Sequence, residues 1–219
     1  MAPTRRRAVV TARGRRGASP AGQGTRERIL AAALEIFSQA GFDGTTTRDL
    51  AARAGVNLGL IKYYFDSKEK LWRAAVDRGA TELQRALAGA VPGAIDTRAD
   101  LVELVRVCVR FAARNPAFIR VMNDEGKRDG ARMRWLVDRH GRPLYELLLS
   151  VFAAARRKRL VPDVEPMHLY YVLIGAVGMI FSQAPECRRI TGVDPTASEA
   201  VIEAHATAVA RLVLEPGDG

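Results

Sequence analysis

Between residues 46 and 68 the chain sets Thr46, Arg48, Asn57, Lys62, Tyr63, Tyr64 and Lys68 around the small and apolar Leu58, Gly59 and Leu60. An arginine can fork onto a base edge or a phosphate, and a lysine offers a point charge. Threonine, asparagine and tyrosine add neutral donors, and leucine fits a thymine methyl group. That mixture suits a nucleic-acid surface. Catalysis would instead need Asp124, Glu125 and His140 as acid and base, or Cys108 as a nucleophile. None of these stands in a recognisable motif, and Cys108 lies on an apolar helical face, where a thiol is usually inert. His140 and His168 lack carboxylate partners at metal-ligand spacing, so neither a metal nor another cofactor is expected.

Such side chains need a scaffold. Ile29, Leu30, Ala33, Leu34 and Phe37 recur at helical spacing after Thr25, which could cap a first helix. Gly41 suits its C-terminal cap, Phe42 packs back, and Gly44 permits a tight turn. Thr46 or Thr47 caps a short second helix that runs to about Arg53, with Leu50, Ala51 and Ala54 on its apolar side. Gly55 supplies the next turn and Val56 fills the space between the helices. Asn57 opens a third helix, in which Ile61 and Phe65 face the core while Leu58, Lys62 and a tyrosine face out. Two short helices about a glycine turn form a helix-turn-helix, whose second rod enters a DNA major groove. Asp66-Ser67-Lys68-Glu69 restarts the chain as a capping box. At that helix start the ammonium of Lys68 and the open backbone N–H groups could meet one phosphate. Leu71, Trp72, Ala75, Val76, Leu83 and Leu87 then point inward until Val91-Pro92-Gly93 breaks the helix.

The remainder also reads as helices, with no strand alternation, so the expected fold class is all-α. Leu101, Leu104, Val105, Cys108, Val109 and Phe111 form one broad face, and Asn115-Pro116 marks a stop and restart. A long helix through Trp135, Leu148 and Phe152 is disturbed near Pro143 and closes on the basic run 156–159. Pro166 opens a helix that is apolar nearly all round to Phe181, and a last helix spans about Thr196 to Leu214. Phe111, Met122, Trp135, Tyr145, Tyr170, Ile174 and Phe181 are candidate pocket residues. Asn123, Glu125, Arg134, His140 and Gln183 are candidate polar groups among them. Gly175 and Gly178 permit close approach along the apolar helix, which suggests two buried sides. One side would meet a second copy through the last two helices, with Val201, Ile202, Ala208, Val209 and Leu212 completing the contact.

The chain has 219 residues, a net charge of +10 and 48% hydrophobic residues, enough for a packed core. Residues 1–24 hold six Arg and no acid, whereas 25–70 are almost balanced. That leader reads as a disordered basic arm, either merely solvated or tracking phosphates. It lacks the apolar region of a secretory signal, and it shows little of a transit peptide's amphipathic pattern. The longest apolar run is too short and too interrupted for a confident membrane span. Two isolated cysteines, Cys108 and Cys187, suit a reducing cytoplasm.

One stretch carries a resemblance: Ile29, Phe37, Gly41-Phe42, Thr46, Leu50-Ala51, Ala54-Gly55-Val56, Gly59, Tyr63, Phe65, Ser67-Lys68-Glu69 and Leu71. In order, spacing and type this run resembles the N-terminal domain of the tetracycline-repressor-like (TetR/AcrR) regulators. The resemblance implies a DNA-binding domain at 25–71 and an effector-binding and dimerisation domain at 72–215, after the arm at 1–24. It implies a homodimeric repressor that leaves a palindromic double-stranded operator when a small molecule shifts the fourth helix. It also implies that Arg48 reaches a guanine edge. The family usually has Tyr where this chain has Lys62, which would make binding here more salt-sensitive, and Ser where it has Asn57, which can both cap the helix and donate to a phosphate. The alternatives are a basic architectural protein that binds DNA without sequence preference, or an enzyme with its site in the C-terminal half.

Overall fold

The computed structural model describes residues 20–90 and 95–214. Among them there are eleven α-helices and no strand: α1 (Pro20–Ala40), α2 (Thr47–Ala54), α3 (Leu58–Phe65), α4 (Lys68–Ala90), α5 (Arg98–Arg114), α6 (Pro116–Glu125), α7 (Ala131–Leu136), α8 (Arg142–Arg157), α9 (Pro166–Ser182), α10 (Ala184–Thr191) and α11 (Glu199–Leu214).

Helix α1 begins five residues before the expected cap at Thr25. Proline at a helix start lacks only an N–H that would have no partner anyway, so the first turn forms from Pro20. Most of the basic arm, 1–19, lies outside the described residues, and its last five residues are helical rather than disordered. Gly41 ends α1 with a φ of 69° and its N–H on the Phe37 carbonyl at 3.0 Å. A Cβ on Gly44 would sit 2.4 Å from the Ala40 carbonyl oxygen, so that turn admits only glycine.

At the start of α4, Ser67 is the cap and accepts from the Lys70 N–H at 3.2 Å. Glu69 is therefore one position early for a capping box, and its carboxylate takes Arg73 at 2.9 Å instead. The break at Val91-Pro92-Gly93 falls outside the described residues.

Helices α7 and α8 are one rod interrupted by a wide π turn, Val137–Gly141, in which the Arg142 N–H reaches back to the Val137 carbonyl. Pro143 explains the turn. It cannot donate to Arg139, and its ring crowds that carbonyl, so the preceding turn opens by one residue. Helix α10 was not anticipated: it carries few apolar residues, yet Pro185 in its first turn restarts the chain after Gln183. Helix α11 starts at Glu199 rather than Thr196, because Asp194 holds Thr196 in a turn and Ser198 accepts from the Val201 N–H.

The buried side chains form two clusters. One joins α1–α4 and also takes Phe111, Phe118, Val121 and Leu136, with Trp72 and Leu71 at its centre. The other joins α5, α8, α9 and α11. Packing thus runs across the proposed functional division after residue 71. Each large apolar side chain so buried contributes about 1.5–3 kcal/mol.

Candidate nucleic-acid interface and apolar cavity

The short helices α2 and α3 are fixed at both ends. Thr46 Oγ1 accepts from the Asp49 N–H at 3.2 Å, while the Asp49 carboxylate accepts from the Thr46 N–H at 3.0 Å. The Thr46 hydroxyl and N–H together hold the Asp49 carboxyl below its ordinary value. Gly55 takes a φ of 62°, which closes the turn. Asn57 Oδ1 accepts from the Leu60 N–H at 3.0 Å. A side chain on Gly59 would press on that oxygen at 3.2 Å, so Gly59 has a local reason to be glycine besides close approach to a ligand.

Ile61 and Phe65 anchor α3 in the core. Arg48, Leu58, Lys62 and Tyr63 are exposed, Tyr63 at 79%. Leu60 and Tyr64 are half-buried. Tyr64 packs edge-on against Tyr63, ring centres 5.0 Å apart, and tilts toward Phe65. The structure therefore gathers Thr46, Arg48, Asn57, Leu58, Gly59, Lys62 and Tyr63 on exposed surface of α2, α3 and their caps.

Lys68 requires a correction. Its ammonium turns inward and donates to the Phe42 and Thr45 carbonyls, each at 2.9 Å, with the Phe42 ring 4.3 Å away. Those carbonyls lie in the turn that follows α1, so the charge closes a joint in the scaffold and is not held out for a phosphate. Arg132 covers the same ring at 4.0 Å. Arg128 bonds Asp43 at 3.0 Å, and Trp135 meets Trp72 at 5.6 Å. The α6–α7 segment thus clasps the N-terminal unit from behind.

Between α4, α5, α6, α8 and α9 lies a cavity of about 180 Å³ with an almost wholly apolar wall. Four expected residues line it: Phe111, Met122, Tyr170 and Ile174. Four do not. Glu125 is buried against Arg132, its carboxylate gripped at 3.0 and 3.1 Å. Trp135 is spent between Trp72, Arg73 and His140. Tyr145 packs edge-on against Tyr170, and Phe181 is fully buried against His205. Of the polar candidates, Asn123 and His140 line the cavity, whereas Arg134 and Gln183 are exposed.

Sequence spacing alone does not mark Gln84, Cys108, Ile119, Leu144 or Gly178 as part of this wall. Leu83, Gln84 and Leu87 were readable as an α4 stripe that continues past the N-terminal core. Burial pushes the Cys108 thiol up to about 12, which makes it a poor nucleophile. Asp124, Glu125 and His140 bond Lys127, Arg132 and Asp77 respectively, so they do not converge as a catalytic group. Among the described residues no group of His, Cys, Asp and Glu could hold a metal, and no single helix is long and apolar enough to cross a membrane.

Comparison with known proteins agrees with this geometry. Residues 29–75 match the model of "Bacterial regulatory proteins, tetR family", and residues 98–213 match that of "Tetracyclin repressor-like, C-terminal domain". The chain is 27% identical over 203 residues to the HTH-type transcriptional repressor Rv3405c of Mycobacterium tuberculosis, covering 86% of this chain and 88% of that one. It is 32% identical over 110 residues to the repressor NicS of Pseudomonas putida, a match that spans 50% of this chain and 52% of NicS. Among solved structures, AibR in complex with isovaleryl coenzyme A and operator DNA has the same fold, with a TM-score of 0.71 at 18% identity over 88% of this chain and 99% of that one. With both halves matched in order, and with a capped helix-turn-helix set before a cavity-bearing helical bundle, the chain belongs to the tetR family of bacterial regulatory proteins.

Proposed function

We propose that this regulator represses transcription in the cytoplasm as a two-fold dimer, and that a small molecule in the α4–α9 cavity releases it from a palindromic operator. Two α3 helices, one per protomer, enter successive major grooves about 34 Å apart. Arg48 reads a base edge. Lys62 and Tyr63 grip phosphates, and Tyr64 and Leu60 add contacts at the edge of α3. Thr46 and Asn57 set the register through the helix starts they cap. The open N–H groups at the start of α4 meet one phosphate without the Lys68 ammonium.

The dimer face is carried by apolar side chains left exposed on one chain: Tyr171, Val172 and Met179 on α9, and Leu212 on α11 at 82% exposure. Of the contact residues expected from sequence, Ile202 and Val209 are buried within their own bundle, because α11 packs along α5. Ala208 and Leu212 remain on the outer face.

The observation that carries this reading is that α4 belongs to both sites. Its first half lies in the core that holds α3, and its second half walls the cavity through Ala80, Leu83, Gln84 and Leu87. A ligand acts only through its different affinity for the two arrangements of α4. Rv3405c and NicS carry the word repressor in their names, and AibR has been solved with both an acyl coenzyme A and its operator, which supports the sign and the type of response.

The test is competition binding of the full chain to duplexes from beside its own gene against random duplex. A specific reader should favour one of them by about a thousandfold or more. Lys62→Ala should weaken every duplex alike and lower the salt slope by about one, whereas Arg48→Ala should relax preference at one base pair. Equal affinity for all duplexes would favour an architectural role. Unchanged binding in both variants at moderate salt would refute the docking geometry.

A further inference from the structure

One imidazole on the cavity wall has only one of its two nitrogens satisfied. His140 lies in the π turn and lines the cavity. Its Nε2 sits 2.7 Å from Asp77 Oδ1. A carboxylate can only accept, so in the neutral imidazole the ring proton belongs to Nε2 and Nδ1 is a lone pair. Nδ1 is buried and has no hydrogen-bond partner. None of the side chains lining the cavity is Lys, Arg, Asp or Glu. The site therefore sets one buried, unmet acceptor beside the amides of Gln84 and Asn123 in an otherwise apolar wall with no carboxylate, lysine or arginine.

We propose that the cavity takes a compact, uncharged, mainly apolar ligand with one hydroxyl or N–H group, and that this group donates to His140 Nδ1. The proposal rests on the effector reading of the cavity given above. Size follows from volume. An apolar cavity of roughly 150 Å³ holds a benzene ring, so about 180 Å³ holds a ring with a small substituent or two. Charged carriers such as coenzyme A find no counter-ion in this wall.

The same contact supplies the lever. Nδ1 has almost no accessible surface, so a donor reaches it only when the π turn or the Trp135 ring, centred 5.6 Å away and edge-on, gives way. His140 and Arg139 both hold Asp77 on α4, and Trp135 leans on Trp72 one and a half turns earlier on the same helix. Displacing the turn therefore pulls on α4 at two points. Asp77 is a positioning residue: it fixes which imidazole nitrogen stays bare.

Three probes of similar shape separate the possibilities: 4-methylphenol, p-xylene and 4-methylbenzoate, titrated into the full chain by calorimetry. The phenol should bind about tenfold more tightly than the hydrocarbon, the worth of one hydrogen bond, and the carboxylate should bind weakest. His140→Phe keeps a ring against Trp135 and should erase the phenol's advantage over p-xylene, both titrated into the same variant. Asp77→Ala frees the proton to occupy either nitrogen and should shrink the advantage in the same way. Hydrogen exchange in α4 should respond to the phenol in the native chain but not in His140→Phe. The native comparison needs no variant, so a misfolded variant cannot hide the answer. Equal binding of phenol and hydrocarbon, or a preference that survives in His140→Phe, overturns the role of His140. Tightest binding by the carboxylate overturns the ligand class. Both outcomes leave the effector reading standing. Failure of all three probes at millimolar concentration removes the cavity as a ligand site, and the effector reading with it.

Discussion

Helices α2 and α3, eight residues each, begin on a side-chain cap, and the glycine after α2 adopts a left-handed conformation, whereas the 17-residue α9 begins with no side-chain cap at all. The difference follows length and task. An eight-residue helix gains little from propagation, and at α2 and α3 the helix starts are satisfied locally by Thr46 and Asn57. Those caps also fix the outward side chains of α3 in one orientation, as recognition of a base sequence demands. The longer bundle helices hold by lateral packing and tolerate a cavity, a widened turn and a bare apolar face. Reading requires a fixed surface; responding requires slack.

Four changes should break or sharpen this contrast. The largest effect is expected from Trp72→Ala, which empties the centre of the N-terminal core and removes the contact with Trp135. Urea denaturation should show a loss of about 3–5 kcal/mol in one transition. Two transitions would mean that the halves fold independently. Leu212→Glu should leave the fold of a single chain within about 0.5 kcal/mol, since that side chain is exposed. It should raise the dimer dissociation constant by about a hundredfold in sedimentation, because a charge would be buried without a partner.

Gly79→Ala places a Cβ 2.3 Å from the Phe118 ring at the crossing of α4 and α6. A loss of about 1–3 kcal/mol is expected, with altered effector response, because Phe118 also walls the cavity. Thr46→Ala should cost about 1 kcal/mol, read as faster hydrogen exchange in α2. The Asp49 contribution has a definite pH sense. Thr46 lowers its folded value, so the stabilisation is present above the ordinary carboxylate range and fades as pH falls through the lowered value. In Thr46→Ala the Asp49 titration followed by NMR should move back up.

Most of the N-terminal unit was legible because its determinants are close in sequence. Gly41, Thr46, Gly55 and Asn57 each act on a neighbour within five residues. Lys68 was misjudged because its carbonyl partners lie 26 and 23 residues away, and nothing local distinguishes an inward ammonium from an outward one. The same limit governed the cavity. Phe111 and Phe181 look alike as apolar helix residues, yet one faces the void and the other a packed helix. Asp77 and His140 stand 63 residues apart, so their pairing had no trace in spacing. Pro143 did signal a disturbance, but not that the helix would absorb it by widening.

That widened turn has a mechanical corollary. It stores one surplus residue in an otherwise continuous rod from Ala131 to Arg157. Like a ruck in a carpet, a surplus of this kind travels only where the turns on both sides can close behind it, and any segment it passed would swivel by about 100°. Pro143 holds it in place, because the turn before the proline must stay wide to spare the Arg139 carbonyl, so the end that touches the DNA-reading unit keeps one fixed rotation.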